Sequence, residues 1–178
     1  MNIGFLRANR NMNKADRPVI NIEMTPADWL LEGVALAGIL VMAVVMVYHY
    51  PKLPAVIPSH FDGAGMPDDY SAKSSVWALP GITLFLYILL TLIMKIPHQF
   101  NYSVKITKEN AAIQYAMAMK LIRYLKAGLV WMFFYIAYTT VRVAEKKSTG
   151  LGAGFLPIVL VCMILPVFVY LFLAARKR

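Results

Sequence analysis

Apolar residues fall into four long runs separated by polar, proline-bearing or charged segments. Runs 33–50, 74–94 and 148–175 hold 18, 21 and 28 consecutive residues without Lys, Arg, Asp or Glu. At a rise of 1.5 Å per residue, roughly 20 residues cross a bilayer core of about 30 Å. The fourth run, 127–141, is shorter and lies between Lys126 and Arg142. It spans if both cations snorkel and the flanking residues lengthen the helix. The pattern predicts an all-α integral membrane protein with transmembrane helices near 30–49, 76–95, 124–144 and 154–175. A polar tail, 1–24, precedes a four-helix domain, 25–178, whose connections are a proline-rich outer loop, 50–75, and an inner segment, 96–123.

Local signals refine the elements. In "TPADW", Thr25 reads as an N-cap, Pro26 as the first helical residue and Asp28 as a first-turn acid. Trp29 reads as an interfacial anchor, and Glu32 as a carboxylate satisfied by the helix N-terminus, with a buried functional carboxylate as the alternative. Trp77 and Pro80 suit the start of the second helix. Residues 102–107 alternate loosely, as a short extended piece would. Thr107 then caps a stretch in which Ile113, Met117, Leu121, Tyr124 and Leu125 follow helical spacing, with Glu109, Lys120 and Arg123 on another face. This amphipathic helix either lies on the inner membrane surface or extends the third span. Pro157 falls near the start of the fourth helix and Pro166 inside it, after a flexible "TGLGAG" turn.

Composition agrees: 60% of the 178 residues are hydrophobic and 15% charged, with a net charge of +9. The tail, the inner segment and the C-terminus carry thirteen Lys and Arg, the two remaining connections five. The positive-inside rule then puts both termini in the cytoplasm and residues 50–75 outside. The cationic pieces read as contacts with anionic headgroups and exclude nucleic acid, because they are scattered. The first run starts too late, and without a small-residue cleavage site, to be a cleaved signal. Cys162, the single cysteine, reads as a packing residue.

The segment "YPKLPAVIPSHFDGAGMPDDYSAKSS" breaks this pattern. It shows neither helical nor strand period. Pro51, Pro54 and Pro58 hold an extended half that is stiff yet carries Leu53, Val56 and Ile57; two glycines and three aspartates favour turns in the other half. The prolines lower the entropy lost when such a loop docks on the bundle. The spacing of Pro51, Leu53, Pro54, Ile57, Pro58, His60, Phe61, Gly65, Pro67 and Lys73, followed by Trp77 and an apolar helix, resembles a bacterial membrane domain of unknown function at the N-terminus of SdpI-type immunity proteins. The likeness covers roughly residues 35–126. It implies a small protein of the bacterial cytoplasmic membrane. A characterised relative confers immunity to a secreted antimicrobial peptide and signals by holding a repressor at the membrane.

Candidate chemistry is concentrated in the same loop. Pro54, Pro58, His60, Phe61, Asp62, Gly65, Pro67, Asp68 and Lys73 form the candidate ligand-binding set. His60, Asp62, Asp68 and Asp69, with His49 nearby, offer nitrogen and oxygen donors for a divalent metal, though no zinc or calcium motif is present. Alternatively these groups serve the loop itself: His60 bonds backbone, Asp68 or Asp69 caps a turn and Lys73 pairs with an aspartate. Ser59 lacks a nucleophile elbow, and the helices show no charge relay or inverted repeat. The reading is therefore non-enzymatic and without cofactor: the outer loop recognises a peptide, lipid or envelope component, with a regulatory protein inside and room for homo-oligomers. The alternative is a metal-dependent membrane enzyme or small transporter using the loop.

Overall fold

A computed structural model of the protein describes residues 13–177. Arg7, Arg10 and the first half of the polar tail, together with Arg178, lie outside them. The described chain has four helices long and apolar enough to cross a membrane, as the runs predict. They are α1 (Pro26–His49), α2 (Ala78–Ile93), α3 (Ala111–Ala144) and α4 (Phe155–Arg176). The four traverses leave both ends of the described chain at one end of the bundle, called here the tail end.

α1 begins with the capping box that its sequence announces. The Asp28 amide donates to Thr25 Oγ1 (3.3 Å), the Thr25 amide donates to Asp28 Oδ2 (2.9 Å), and Pro26 fills the first helical position. Pro80 occupies the first turn of α2, where a missing N–H costs nothing, and Trp77 immediately precedes that helix. α3 decides between the two alternatives for the amphipathic stretch. It is one helix of 34 residues, about 51 Å long, so residues 111–123 extend the third span. Its start is later than Thr107. Thr107 and Asn110 instead exchange bonds, the Thr107 amide to Asn110 Oδ1 (2.9 Å) and the Asn110 amide to Thr107 Oγ1 (3.3 Å). Residues 102–107 form no strand.

The fold is not all helix. Residues 50–75, expected to lack strand period, contain an antiparallel hairpin of β1 (Val56–Phe61) and β2 (Pro67–Ala72), with Val56 opposite Ala72 and Phe61 opposite Pro67. Register shifts around His60 break the two-residue alternation, and Pro58 and Pro67 mask the strand signal further. Asp62 builds the turn: its Oδ1 accepts from the amides of Ala64 (2.9 Å) and Met66 (2.8 Å), and Gly65 takes a φ of +80°. Ile57, fully buried, joins Met42, Met46, Leu53, Val76, Ala137 and Val141 in the core at the hairpin end.

The tail end has its own small core of Ile106, Ala111 and Tyr115, on which Ile20 and Ile22 pack. Arg17 donates to the carbonyls of His98 (3.2 Å) and Phe100 (2.7 Å) and lies over the Tyr102 ring. Gln114 Nε2 donates to the carbonyls of Ala174 (3.1 Å) and Lys177 (2.8 Å), terminating α4 from a neighbouring helix. The α3–α4 turn meets the hairpin, with the Leu151 amide donating to Gly65 O (2.7 Å). A Cβ at Gly150 would stand 2.1 Å from that same Gly65 oxygen. Gly150→Ala must therefore push the turn off the hairpin, and hydrogen exchange at the Leu151 amide should quicken about tenfold or more, the equivalent of about 1.4 kcal/mol. Gly63→Ala, in open space, should leave that rate unchanged.

Candidate functional site

The hairpin forms the roof of a cavity of about 690 Å³. β1 and the turn supply Pro58, Ser59, His60, Phe61, Asp62 and Gly65; α2 supplies Leu79 and Ile82; α3 supplies Ala137 and Thr140; α4 supplies Phe155 and Leu156. Five of the nine residues expected to bind a ligand thus line one space: Pro58, His60, Phe61, Asp62 and Gly65. Pro54, Pro67, Asp68 and Lys73 stand outside the lining. The helical walls were not legible beforehand, because nothing in the sequence says which faces of α2, α3 and α4 the hairpin will cover.

The polar groups of the hairpin mostly satisfy one another. His60 Nδ1 lies 2.6 Å from Asp68 Oδ1, both exposed, and Ser59 Oγ donates to Asp69 Oδ2 (3.2 Å). Asp62 is the turn cap, in place of Asp68 or Asp69. Lys73 Nζ sits over the Tyr50 ring at 4.9 Å instead of pairing with an aspartate. His49 is bonded apart from this set, since its Nδ1 contacts Glu145 Oε1 at the C-terminal cap of α3 (2.6 Å). Among the described residues no three His, Cys, Asp or Glu side chains come together as metal ligands would. The proposed set His60, Asp62, Asp68 and Asp69 is therefore divided between a His–Asp pair, a turn cap and a serine contact.

A second polar cluster is buried near the tail end, among helices expected to show no charge relay. Lys126, 1% exposed, donates to Glu32 Oε1 (2.8 Å), Glu32 Oε2 (2.7 Å) and Thr91 Oγ1 (2.9 Å). Tyr87 donates to Glu32 Oε2 (3.1 Å), and Arg123 approaches Asp28 Oδ1 (3.2 Å) and Glu32 Oε1 (3.6 Å). Glu32 is thus neutralised by cations of α3 and not by its own helix N-terminus, and Lys126 faces inward instead of snorkelling. The available signal was spacing: Asp28 with Glu32, and Arg123 with Lys126, are i,i+4 and i,i+3 pairs that each share a helix face. Two acids and two bases leave the cluster formally neutral, as charges out of water require.

These features define a multi-pass membrane protein with a hairpin-roofed cavity at one end and a buried ion-pair cluster toward the other. Residues 37–84, from α1 through the hairpin into α2, match a family model described as a domain of unknown function, DUF1648. The match coincides with the proline-rich motif and agrees with the resemblance drawn from it; residues 85–126 lie beyond it. No curated protein and no solved structure matches the chain.

Two outcomes follow. Lys126→Met strands the Glu32 carboxylate and should cost about 3–5 kcal/mol in reversible unfolding, whereas adding Glu32→Gln should restore part of that loss. A double-mutant cycle by denaturant titration in detergent measures it; additive losses would mean that the two groups are uncoupled. At the hairpin end, the Glu145 carboxyl is held below its ordinary value of 4.5 by its bond to Lys147 Nζ (2.6 Å) and then by His49. A lowered folded-state value makes its contribution present above 4.5 and lost as pH falls through that lower value. The stability gap between the parent and Glu145→Gln should accordingly be open at pH 7 and narrow as the medium is acidified below 4.5.

Proposed function

We propose that the protein resides in the bacterial cytoplasmic membrane with both ends inside, and that its hairpin recognises an extracytoplasmic peptide, lipid or envelope component in an SdpI-like immunity or signalling role. The observation that carries this reading is the cavity beneath the hairpin, which is bounded by three helices and lies within the usual size range of ligand sites. Because the hairpin, α2, α3 and α4 all contribute walls, an occupant would bear on their relative positions. Motion of α2 would reach the tail end through Thr91 and Tyr87, which bond the Glu32–Lys126 pair. There the basic segment around Lys105, Lys108 and Lys120 would meet a regulatory protein or anionic headgroups. The topology rests on the charge balance of the connections, and the immunity role on the resemblance of the proline-rich segment to SdpI-type proteins, since the family model over residues 37–84 describes no function.

Cells with and without the gene, challenged with a panel of envelope-active peptides, test the reading. Expression should raise survival against at least one peptide, and Ile82→Trp, which fills the cavity from its α2 wall, should abolish that gain at unchanged protein level. Equal survival across the panel would remove immunity.

A further inference from the structure

The cavity has a side opening as well as a roof. α2 and α4 each pack on α3 without a substantial contact between them, yet both line the cavity, which leaves a slot between these two helices over α3 at the hairpin end. Ile82 on α2 and Leu156 on α4 line the cavity and are also 47% and 44% exposed, which makes the cavity wall continuous with the lipid-facing surface. Below the roof the lining is mostly aliphatic and aromatic, with Ser75 and Thr140 as its polar members; the other polar side chains, Ser59, His60 and Asp62, belong to the roof.

The roof also has a definite charge. No Lys or Arg occurs from residue 53 to 72, while Asp62, Asp68 and Asp69 do. Of the cations at this end, Lys52 and Lys73 lie over the rings of Tyr48 and Tyr50, Lys147 bonds Glu145 and Arg142 donates to the Lys147 carbonyl, while Lys146 is exposed; none of them lines the cavity. Asp62 spends Oδ1 on the two turn amides, and its Oδ2 retains acceptor capacity at the cavity rim. An anionic headgroup would meet the Asp62 carboxylate here with no Lys or Arg in the cavity lining to offset it. An ammonium group would find the opposite charge it needs.

Resting on the recognition reading above, we infer that the cavity takes a chain of a bilayer phospholipid with an ammonium headgroup, which enters sideways between α2 and α4 and sets its ammonium beside Asp62. The slot admits the chain without drawing it through water. The hairpin, docked through Leu151 and Gly65, closes the outer end over the headgroup.

Native mass spectrometry of the detergent-released protein, titrated with phosphatidylethanolamine or with phosphatidylglycerol of the same chains, tests this. The parent should retain phosphatidylethanolamine in preference, and Ile82→Trp should lower its retention about tenfold, or about 1.4 kcal/mol. Phe85→Trp, on an exposed α2 position outside the lining, should not lower it. Asp62→Asn keeps the turn acceptor but removes the charge, and should bring the two lipids to equal retention with a chain still bound. Equal losses in Ile82→Trp and Phe85→Trp would reduce the adduct to unselective boundary lipid, and preferential retention of phosphatidylglycerol would overturn the headgroup assignment. Adducts that follow the expected pattern while Ile82→Trp still protects cells uphold the lipid and sink the recognition reading. Absent adducts with protection lost in Ile82→Trp do the reverse.

Discussion

The ion pair between Glu32 and Lys126 governs how the first three helices stand to one another. A charge withdrawn from water must be met by an opposite charge and by hydrogen bonds, or it is not tolerated. Lys126 is withdrawn almost completely, and its ammonium spends three donors on Glu32 and Thr91. Glu32 in turn accepts from Tyr87 and has Arg123 nearby. One cluster therefore ties α1 to α3 and brings in α2. Between lipid-immersed helices, where apolar side chains gain little by leaving lipid for each other, such polar links and close packing carry the association. Gly38 supplies the close packing, since a Cβ there would lie 2.7 Å from Val130 Cγ1.

α4 has no part in that cluster. It packs on α3 alone to any substantial extent, and its anchor is Gln114, which takes up its terminal carbonyls at the tail end. This asymmetry produces the slot between α2 and α4. At the opposite end the slot is shut by the hairpin, which the turn before α4 holds through the Leu151 amide and the near-contact of Gly150 with Gly65. The cavity is thus a consequence of two unlike attachments: a three-helix unit fixed by charge, and a fourth helix held at its ends. A space of this kind is stiff at its roof and open along its side, which suits an occupant delivered from the bilayer.

The hairpin shows how local chemistry and long-range packing divide the work. Asp62 and Gly65 make the turn from within, by side-chain-to-amide bonds and a positive φ. Ile57 and Leu53 then pin the structure to the core of α1 and α3. The contact of His49 Nδ1 with Glu145 Oε1 joins the same two helices beside that core. The functional reading depends on this rigidity, because a roof that ordered only on binding would oppose binding by its own entropy.

Four spans, the Thr25 cap and the place of Pro80 were legible from the sequence. Each depends on properties local to the chain: uninterrupted apolar length, a capping hydroxyl, a missing amide proton. The hairpin register was hidden because the shifts at His60 and the prolines at 58 and 67 destroy the alternation that reveals a strand. Lys126 read as a snorkelling cation and Glu32 as a helix-terminal acid, for a single sequence does not tell which way a helix is turned about its axis. That rotation is set by all the neighbours at once. It determines whether a charged side chain reaches water or a partner, and whether Ile82, Ala137 and Leu156 face lipid, one another or a common cavity. The chain alone determined that it would cross the membrane and where; only the packing of helices decided what lies between them.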